Sequence, residues 1–168
     1  MKVIVTGATG FVGQPLVRKL LAAGHSVTAL TRNVEAARRM LPVRCACAQW
    51  NPDAAFDPST LRGADAVVHL AGEGVADGRW TTRRKRAIRE SRVAGSRALV
   101  DAIRGLAHDE RPRVLVAASA VGYYGDRGDE SLDEQSSPGQ DFLSEVCQAW
   151  EREVFQAESL GVRTAAMR

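Results

Sequence analysis

Three glycines, each three residues after the last, are the clearest chemical signal in the sequence. Gly7, Gly10 and Gly13 directly follow the apolar residues 3–5, and an amphipathic helical pattern begins after them. Glycines let a backbone come close to a diphosphate, and a helix start offers unpaired N–H groups with a partial positive charge. A strand before the turn and a helix after it therefore predict a phosphate-binding turn. The alternative is a turn without a ligand, in which the glycines would only weaken the helix start. The turn residues expected to contact the ligand are Gly7, Thr9, Gly10, Phe11, Val12 and Gly13.

A second signal stands at the end of the next apolar run, where residues 30–33 read LTRN without a carboxylate. Dinucleotide-binding folds that take NAD usually place an acidic residue there, which accepts hydrogen bonds from the ribose hydroxyls. Arg32 is instead suited to a 2′-phosphate, with Thr31 as a hydroxyl donor, and such a charge-assisted hydrogen bond contributes about 1.5–3 kcal/mol. The sequence therefore predicts a preference for NADP(H) over NAD(H). The alternative is that Arg32 only caps a surface turn.

Strand and helix patterns alternate along the chain and would position both signals. The strand patterns lie at residues 2–6, 26–31, 43–48, 66–70, 113–118 and 162–167, and the helical patterns at residues 11–23, 34–41, 81–106 and 142–159. Strands that are apolar on both faces and separated by helices indicate a parallel sheet covered on both sides. Right-handed crossovers then predict an α/β doubly wound parallel sheet (Rossmann fold), three-layer α/β/α, with strand order 3-2-1-4-5-6. Residues 51–59 and 122–139 are expected to be loops.

Length and composition bound the architecture and the partners. The 168 residues are enough for one domain with a good core, and we expect a single domain over residues 1–168. Because the chain stops just after the sixth predicted strand, we expect a C-terminal substrate-binding part to be absent. A net charge of +3 is too small to argue for a nucleic-acid partner. No stretch approaches the ~20 apolar residues of a membrane span.

The start of the chain and its cysteines bear on location and metal binding. The first strand begins directly after Met1, so we expect no targeting segment and a cytoplasmic protein. Cys45, Cys47 and Cys147 lack the spacing of metal ligands, which predicts small buried thiols and no metal site.

A cluster of basic residues lies just before the longest predicted helix and in its first half. Its members are Arg79, Arg83, Arg84, Lys85, Arg86, Arg89 and Arg92. Such a cluster can mark a polyanion-binding site. Glu90 interrupts it and Ile88 is placed to face inward, so a solvated helix face is favoured. Contact with a cofactor or with a polyanion is the alternative.

Three longer motifs carry a resemblance to a known group of proteins. They are residues 6–13 (TGATGFVG), residues 65–72 (DAVVHLAG) and residues 119–125 (SAVGYYG). Together they resemble the extended short-chain dehydrogenases/reductases of the NAD(P)-dependent epimerase/dehydratase family. Residues 71–73, 79–80, 91–93 and 150–151 are similar to its YfcH-like branch, described as epimerase family proteins. The motifs span most of the chain and are jointly specific.

The resemblance implies a dinucleotide cofactor and adds further contacts. At the end of the fourth strand, it adds Leu70, Ala71 and Gly72 to the lining of the nucleotide cleft. It also makes Arg92 a second candidate for phosphate contact. Trp50 with Asn51 either brackets the adenine or packs as a lid over the core. His69 is interpreted as a buried strand residue rather than a catalyst.

The same resemblance leads us to expect a catalytic pair that the chain lacks. Hydride transfer in this superfamily normally uses a serine with a tyrosine and a lysine four residues apart, and the lysine lowers the pKa of the tyrosine. Neither Tyr123 nor Tyr124 is followed four residues later by a lysine, and the last helix begins with Phe142 where the pair should stand. Ser119 and Tyr124 are the remaining catalytic candidates. The alternative for Ser119 is a hydroxyl that forms a turn.

Two functions are therefore open. The first is an NADP(H)-binding epimerase/dehydratase-like protein or oxidoreductase with an atypical acid or base and an unknown small-molecule substrate. The second is a non-catalytic NADP(H)-binding module or redox sensor. No nucleic-acid or membrane partner is expected, and a homodimer is the assembly that the resemblance allows.

Overall fold

The computed structural model describes residues 1–52, 54, 57–76 and 78–168. The strands in these ranges are β1 (Lys2–Thr6), β2 (Ser26–Thr31), β3 (Ala46–Gln49), β4 (Ala66–His69), β5 (Val114–Ala118) and β6 (Arg163–Met167). They form one parallel sheet with the order β3-β2-β1-β4-β5-β6, which confirms the predicted topology. The α-helices are α1 (Gly13–Ala22), α2 (Val34–Met40), α3 (Thr82–Arg104) and α4 (Phe142–Phe155).

Alternation along the central strand divides the core into two layers. Val3 and Val5 of β1 belong to a cluster that includes Val17 of α1 and Ala37 of α2. Ile4, between them, belongs to the opposite cluster, which includes residues of α3 and α4. Successive strand residues point to opposite faces, so a strand that is buried on both faces must be apolar throughout. The result is three layers with the carboxyl ends of all the strands at one edge.

Two of the predicted boundaries were wrong because turns occupy the expected residues. α1 begins two residues later than predicted, because the Gly10 N–H donates to the Gly7 carbonyl at 3.0 Å and closes a turn over residues 7–10, and residues 11–12 form a further turn before the helix. β3 begins at residue 46 rather than 43, because a turn comes first in which the Cys45 N–H donates to the Pro42 carbonyl at 2.8 Å. The remaining strands, α2 and α3 agree with the predictions to within two residues.

The end of the last helix also differs from its prediction. α4 ends at Phe155 rather than at residue 159, and Gln156–Leu160 tighten into a 3-10 helix. Gly161 follows with a φ of +81°, a left-handed conformation that stops the helix before β6.

A short 3-10 helix overlaps one end of each of the two predicted loops. Val121–Tyr123 form a short 3-10 helix at the start of the second loop. In the first loop, Pro58–Leu61 form another, and residues 53, 55 and 56 lie outside the described residues.

Three further properties follow from the side chains. In the described ranges, no helix is long and apolar enough to cross a membrane. The same residues contain no group of three or more His, Cys, Asp or Glu side chains that could hold a metal ion. The cysteines are free thiols, with Cys45 and Cys147 buried and Cys47 half-buried. Burial raises the pKa of Cys45 to about 11, which makes its thiol unreactive at neutral pH.

Candidate dinucleotide-binding site

Two glycines of the turn, Gly7 and Gly13, pack so closely against the backbone that neither has room for a side chain. Gly7 has a φ of +65°, and a Cβ atom there would lie 2.6 Å from the carbonyl carbon of Leu70. A Cβ atom on Gly13 would lie 2.2 Å from the Gly7 carbonyl oxygen. α1 therefore begins directly against the turn, and its first N–H groups lie at the carboxyl edge of the sheet.

A buried threonine holds the ends of β1 and β4 together. The Thr6 hydroxyl accepts hydrogen bonds from the N–H groups of Leu70 and Ala71, each at 3.2 Å. Its oxygen also lies 2.7 Å from Nδ1 of His69. With two N–H groups already donating to it, the hydroxyl donates its own proton to Nδ1. Burial lowers the pKa of His69 to about 4, so the imidazole is neutral at pH 7 and serves as a structural group.

A cavity of about 450 Å³ opens at this edge, above the ends of β1, β2 and β4. The predicted cofactor residues that line it are Gly7, Thr9, Gly10, Thr31, Arg32, Leu70, Ala71 and Gly72. They come from three segments, which the parallel register brings side by side, with Thr6 opposite both Leu30 and His69. The strand order therefore places the glycine turn and Arg32 in one cavity.

Sequence reasoning missed part of the lining. The additional residues are Leu30, Pro52, Glu73, Ala87, Glu90 and Ser91. Glu73 and Ser91 belong to the short motifs on which the resemblance rests, so those motifs held a signal for them. Ala87 and Glu90 line the cavity because one face of α3 points toward it. The rotation of the helix is set by its packing, which the sequence does not show.

The other predicted turn residues lie outside the lining. Phe11 is 96% exposed and Val12 is 59% exposed. Gly13 is buried against the Gly7 carbonyl, where it supports the turn from behind. Their direct contact with a ligand stays a prediction.

Arg92 also lies outside the lining, behind Gly72. Its NH1 group donates to the carbonyls of Glu73 at 2.9 Å and Ile88 at 3.1 Å. Its guanidinium carbon lies 5.2 Å from the ring centroid of Trp150, and burial lowers its pKa. These contacts show Arg92 fixing the backbone after β4, and its expected phosphate contact stays a prediction.

Arg32 differs from Arg92 because its side chain is exposed at the cavity and its backbone is held in place. Gln49 Nε2 donates to the Arg32 carbonyl at 2.9 Å. On the other side, Asn33 Oδ1 accepts the Ala36 N–H at 2.9 Å and so caps α2. Among the described residues, no carboxylate forms an ion pair with Arg32. A free guanidinium therefore stands at the end of β2.

Trp50 combines the two roles that the sequence left open. Only 4% of its surface is exposed, and its ring meets His69 edge to face at 6.0 Å. It nevertheless lines the cavity. The indole therefore covers the core and borders the ligand space at the same time.

Comparison with known proteins decides the family. The sequence profile of the NAD dependent epimerase/dehydratase family matches residues 3–154. The chain belongs to this family. The expected resemblance to its epimerase family proteins is confirmed, because such proteins match over the whole chain.

Two curated family members illustrate the similarity. The chain is 38% identical over 168 residues to the chloroplastic SDR39U1 homolog of Arabidopsis thaliana, an epimerase family protein, and covers 100% of itself and 48% of that protein. It is 36% identical over 169 residues to YfhF of Bacillus subtilis, with coverage of 100% and 54%. The chain spans about half the length of the curated relatives it matches.

Solved structures of the family agree with the fold. The nucleoside-diphosphate sugar epimerase of Corynebacterium glutamicum is 37% identical with a TM-score of 0.79, and the match covers 100% of this chain and 33% of that one. Human epimerase family protein SDR39U1, solved with NADPH, is 28% identical with a TM-score of 0.78, covering 100% and 53%. Family membership and these structures support dinucleotide binding by the chain.

The candidate catalytic residues of this family member belong to a separate network at the ends of β5 and β6. The Ser119 hydroxyl donates to Glu151 Oε1 at 2.6 Å. Arg168 donates to both oxygens of the same carboxylate, at 2.9 and 2.8 Å, and its NH1 group donates to the Tyr124 hydroxyl at 3.3 Å. The ion pair raises the pKa of Arg168. The sequence did not indicate that Glu151 and Arg168 bind the two candidate catalytic hydroxyls.

This network stands apart from the dinucleotide cavity. Neither Ser119 nor Tyr124 lines that cavity. Glu151 and Tyr123 instead line a second cavity of about 390 Å³ beside α4. The start of α4 carries Phe142, as the sequence indicated, so no tyrosine and lysine pair stands there.

Proposed function

We propose that the chain is the NADP(H)-binding domain of an epimerase/dehydratase-like protein or oxidoreductase of the extended short-chain dehydrogenase/reductase type. The observation that carries this proposal is the shared cavity, in which the glycine turn and Arg32 lie on neighbouring strands. The turn supplies backbone donors for a diphosphate, and Arg32 supplies a charge for one more phosphate group. The substrate and the assembly, including the homodimer, stay open, and the cytoplasmic location stays a prediction.

The preference for NADP(H) rests on charge at the end of β2. A carboxylate there would repel a 2′-phosphate and accept ribose hydroxyls, whereas the exposed Arg32 attracts the phosphate. Such a charge-assisted contact contributes about 1.5–3 kcal/mol, which corresponds to about a 10- to 150-fold preference. The NADPH-bound human relative supports the same coenzyme.

Calorimetry tests this preference. We expect NADPH to bind at least about tenfold more tightly than NADH, and Arg32→Ala to remove the difference while the fold is retained. Arg39→Ala is the matched control, because Arg39 is an exposed arginine of α2 that does not line the cavity. Equal affinities for the two coenzymes in the unchanged chain would reject the role of Arg32.

A second candidate function is a non-catalytic NADP(H)-binding module or redox sensor. It is favoured by the contacts of Ser119 and Tyr124, whose hydroxyls are engaged with Glu151 and Arg168. A panel of sugar nucleotides, aldehydes and ketones separates the two candidates when NADPH absorbance is followed. Hydride transfer to any of them would reject the sensor, and no transfer across the panel would favour it.

A further inference from the structure

The segment after β4, called here the strap (residues 73–76 and 78–80), is fastened to α3. Arg84 donates to Glu73 Oε1 at 2.8 Å and to the Gly74 carbonyl at 2.6 Å. The Ser91 hydroxyl accepts the Glu73 N–H at 3.0 Å. Because Glu73 also lines the dinucleotide cavity, the first residue of the strap forms part of the cavity wall. Side chains of α3 hold the strap in one position.

The strap ends in an aromatic wall beside a lysine. Trp80 Nε1 donates to the Val75 carbonyl at 2.9 Å, and the indole meets the Phe142 ring edge to face at 5.8 Å. Lys85 Nζ lies 5.1 Å from the centroid of the same Phe142 ring. Trp80 remains 42% exposed. An ammonium group and two aromatic rings therefore border the same small surface.

This surface lies at the same edge as the dinucleotide cavity, on the side of β5. Arg84, which directly precedes Lys85, donates to Glu73, and Glu73 lines the cavity. Phe142 begins α4, and the start of α4 is bound to the loop after β5 by the Ser144 hydroxyl, 2.8 Å from the Tyr123 carbonyl. A molecule on this surface would therefore lie beside the strap, whose first residue lines the dinucleotide cavity.

Positive charge is in excess here. Arg79, Arg83 and Arg86 are exposed, and none of them, nor Lys85, forms an ion pair within the part of the chain that the structure describes. The first turn of α3 contains no acidic residue. Cations near a helix N-terminus are unfavourable, and like charges one turn apart repel each other. An anionic group bound at this surface would relieve both effects.

The neighbouring carboxylates do not cancel this charge. Glu73 is paired with Arg84, and Asp141 accepts the Ser144 N–H at 2.8 Å as the cap of α4. Glu90 pairs with Arg89 at 3.9 Å, and Glu145 is exposed in the first turn of α4. Among the described residues, the cations Arg79, Arg83, Lys85 and Arg86 therefore outnumber the acids beside them.

We propose that Trp80, Phe142 and Lys85 form a substrate subsite for a small molecule with an aromatic or apolar body and a phosphate or carboxylate group. The rings pack against the body, and Lys85 binds the anionic group. This inference rests on the proposed function, because it names the class of substrate that would lie beside the dinucleotide. The strap fixes Trp80 before binding, so little side-chain entropy is lost.

Phenyl phosphate is a suitable probe, titrated in the calorimeter with the dinucleotide cavity saturated by NADPH. We expect it to bind about tenfold more tightly than either inorganic phosphate or phenol, because the subsite uses both the ring and the charge. Lys85→Gln should weaken binding by about tenfold or more, and Lys85→Arg should retain most of it. Trp80→Ala should also weaken binding. Lys19→Gln, at an exposed lysine of α1, is the matched control and should change nothing.

Several results would overturn the subsite. They are an absence of binding, equal binding of inorganic phosphate, or an affinity that Lys85→Gln does not change. A single-stranded RNA that displaces phenyl phosphate, and depends on Arg83 and Arg86 as strongly as on Lys85, would replace the small molecule by a polyanion. Variants are compared only after circular dichroism shows the wild-type fold.

The two proposals fail separately. NADPH binding without phenyl phosphate binding rejects the subsite alone. If NADPH does not bind, the proposed function is rejected, and the response of the free chain's phenyl phosphate affinity to Lys85→Gln still decides whether the subsite exists.

Discussion

The carboxyl edge of the sheet has two halves that use polar groups in opposite ways. Around β1, β2 and β4, the glycine turn and Arg32 border a cavity, and Arg32 has no carboxylate partner among the described residues. At the ends of β5 and β6, Ser119, Glu151 and Arg168 bind one another. The first half keeps its donors available for a ligand, and the second uses its donors to hold the chain together.

The difference follows from how much desolvation of polar groups each half must compensate. Backbone N–H groups at a helix start are exposed at little cost, and an exposed guanidinium keeps its hydration. Glu151 is 6% exposed, and a buried carboxylate is tolerated only with a cation and hydrogen bonds around it. The guanidinium of Arg32 is therefore available to a ligand, whereas the carboxylate of Glu151 and the guanidinium of Arg168 are occupied by each other.

The largest effect is expected in the closed half, for Arg168→Met. The change leaves the buried Glu151 carboxylate without its ionic partner and should lower the free energy of unfolding by about 4 kcal/mol, as measured in urea. NADPH affinity of the folded protein should stay within about twofold, because Arg168 does not line the dinucleotide cavity. Arg38→Ala, at the exposed pair with Glu35, is the control and should cost less than about 1 kcal/mol. A similar cost for both changes would contradict the contrast.

Lowering the pH tests the buried imidazole of His69, at the end of β4 in the open half. Its pKa falls from 6.5 to about 4 on burial, so the unfolded chain binds this proton more readily than the folded chain. The resulting stability is present above pH 6.5 and is lost as the pH falls toward 4, by about 3 kcal/mol in total. Urea unfolding at pH 7 and pH 4.5 should show a smaller decrease for His69→Gln than for the unchanged protein. An equal decrease would mean that His69 is not buried in its neutral form.

The glycine turn can be tested by two alanine substitutions with different causes. Gly13→Ala places a Cβ atom 2.2 Å from the Gly7 carbonyl and should cost about 2 kcal/mol by overpacking, with weaker NADPH binding. Gly24→Ala, where φ is +82° and no atom lies within 4 Å, should cost about 1 kcal/mol through backbone strain alone. Its NADPH affinity should not change. If calorimetry finds both affinities unchanged, the turn does not hold the diphosphate.

The open half was largely predictable because its features are local. The glycine spacing, the missing carboxylate beside Arg32 and the alternation of strands and helices are each read within a few residues, and the strand order then brings them together. The strands and α-helices were predicted with the right type, and the main boundary errors arose where turns replaced the starts of α1 and β3 and a 3-10 helix replaced the end of α4.

The closed half was not predictable because its contacts join distant residues. Ser119 and Glu151 are separated by 32 positions, and neither spacing nor periodicity indicates that a serine after β5 will meet a carboxylate on α4. The same applies to Arg92, whose helix face is decided by packing against Trp150. The wall that α3 supplies with Ala87 and Glu90 likewise depends on the rotation of the helix.

The Thr6 hydroxyl, which joins the ends of two adjacent strands through the N–H groups of Leu70 and Ala71, has a kinetic consequence. A ligand that enters the cavity contacts backbone that is already ordered in the folded protein. Capture then requires little loss of backbone freedom, and the speed of encounter depends mainly on diffusion and orientation. Differences in affinity between related ligands should therefore arise from their dissociation rates.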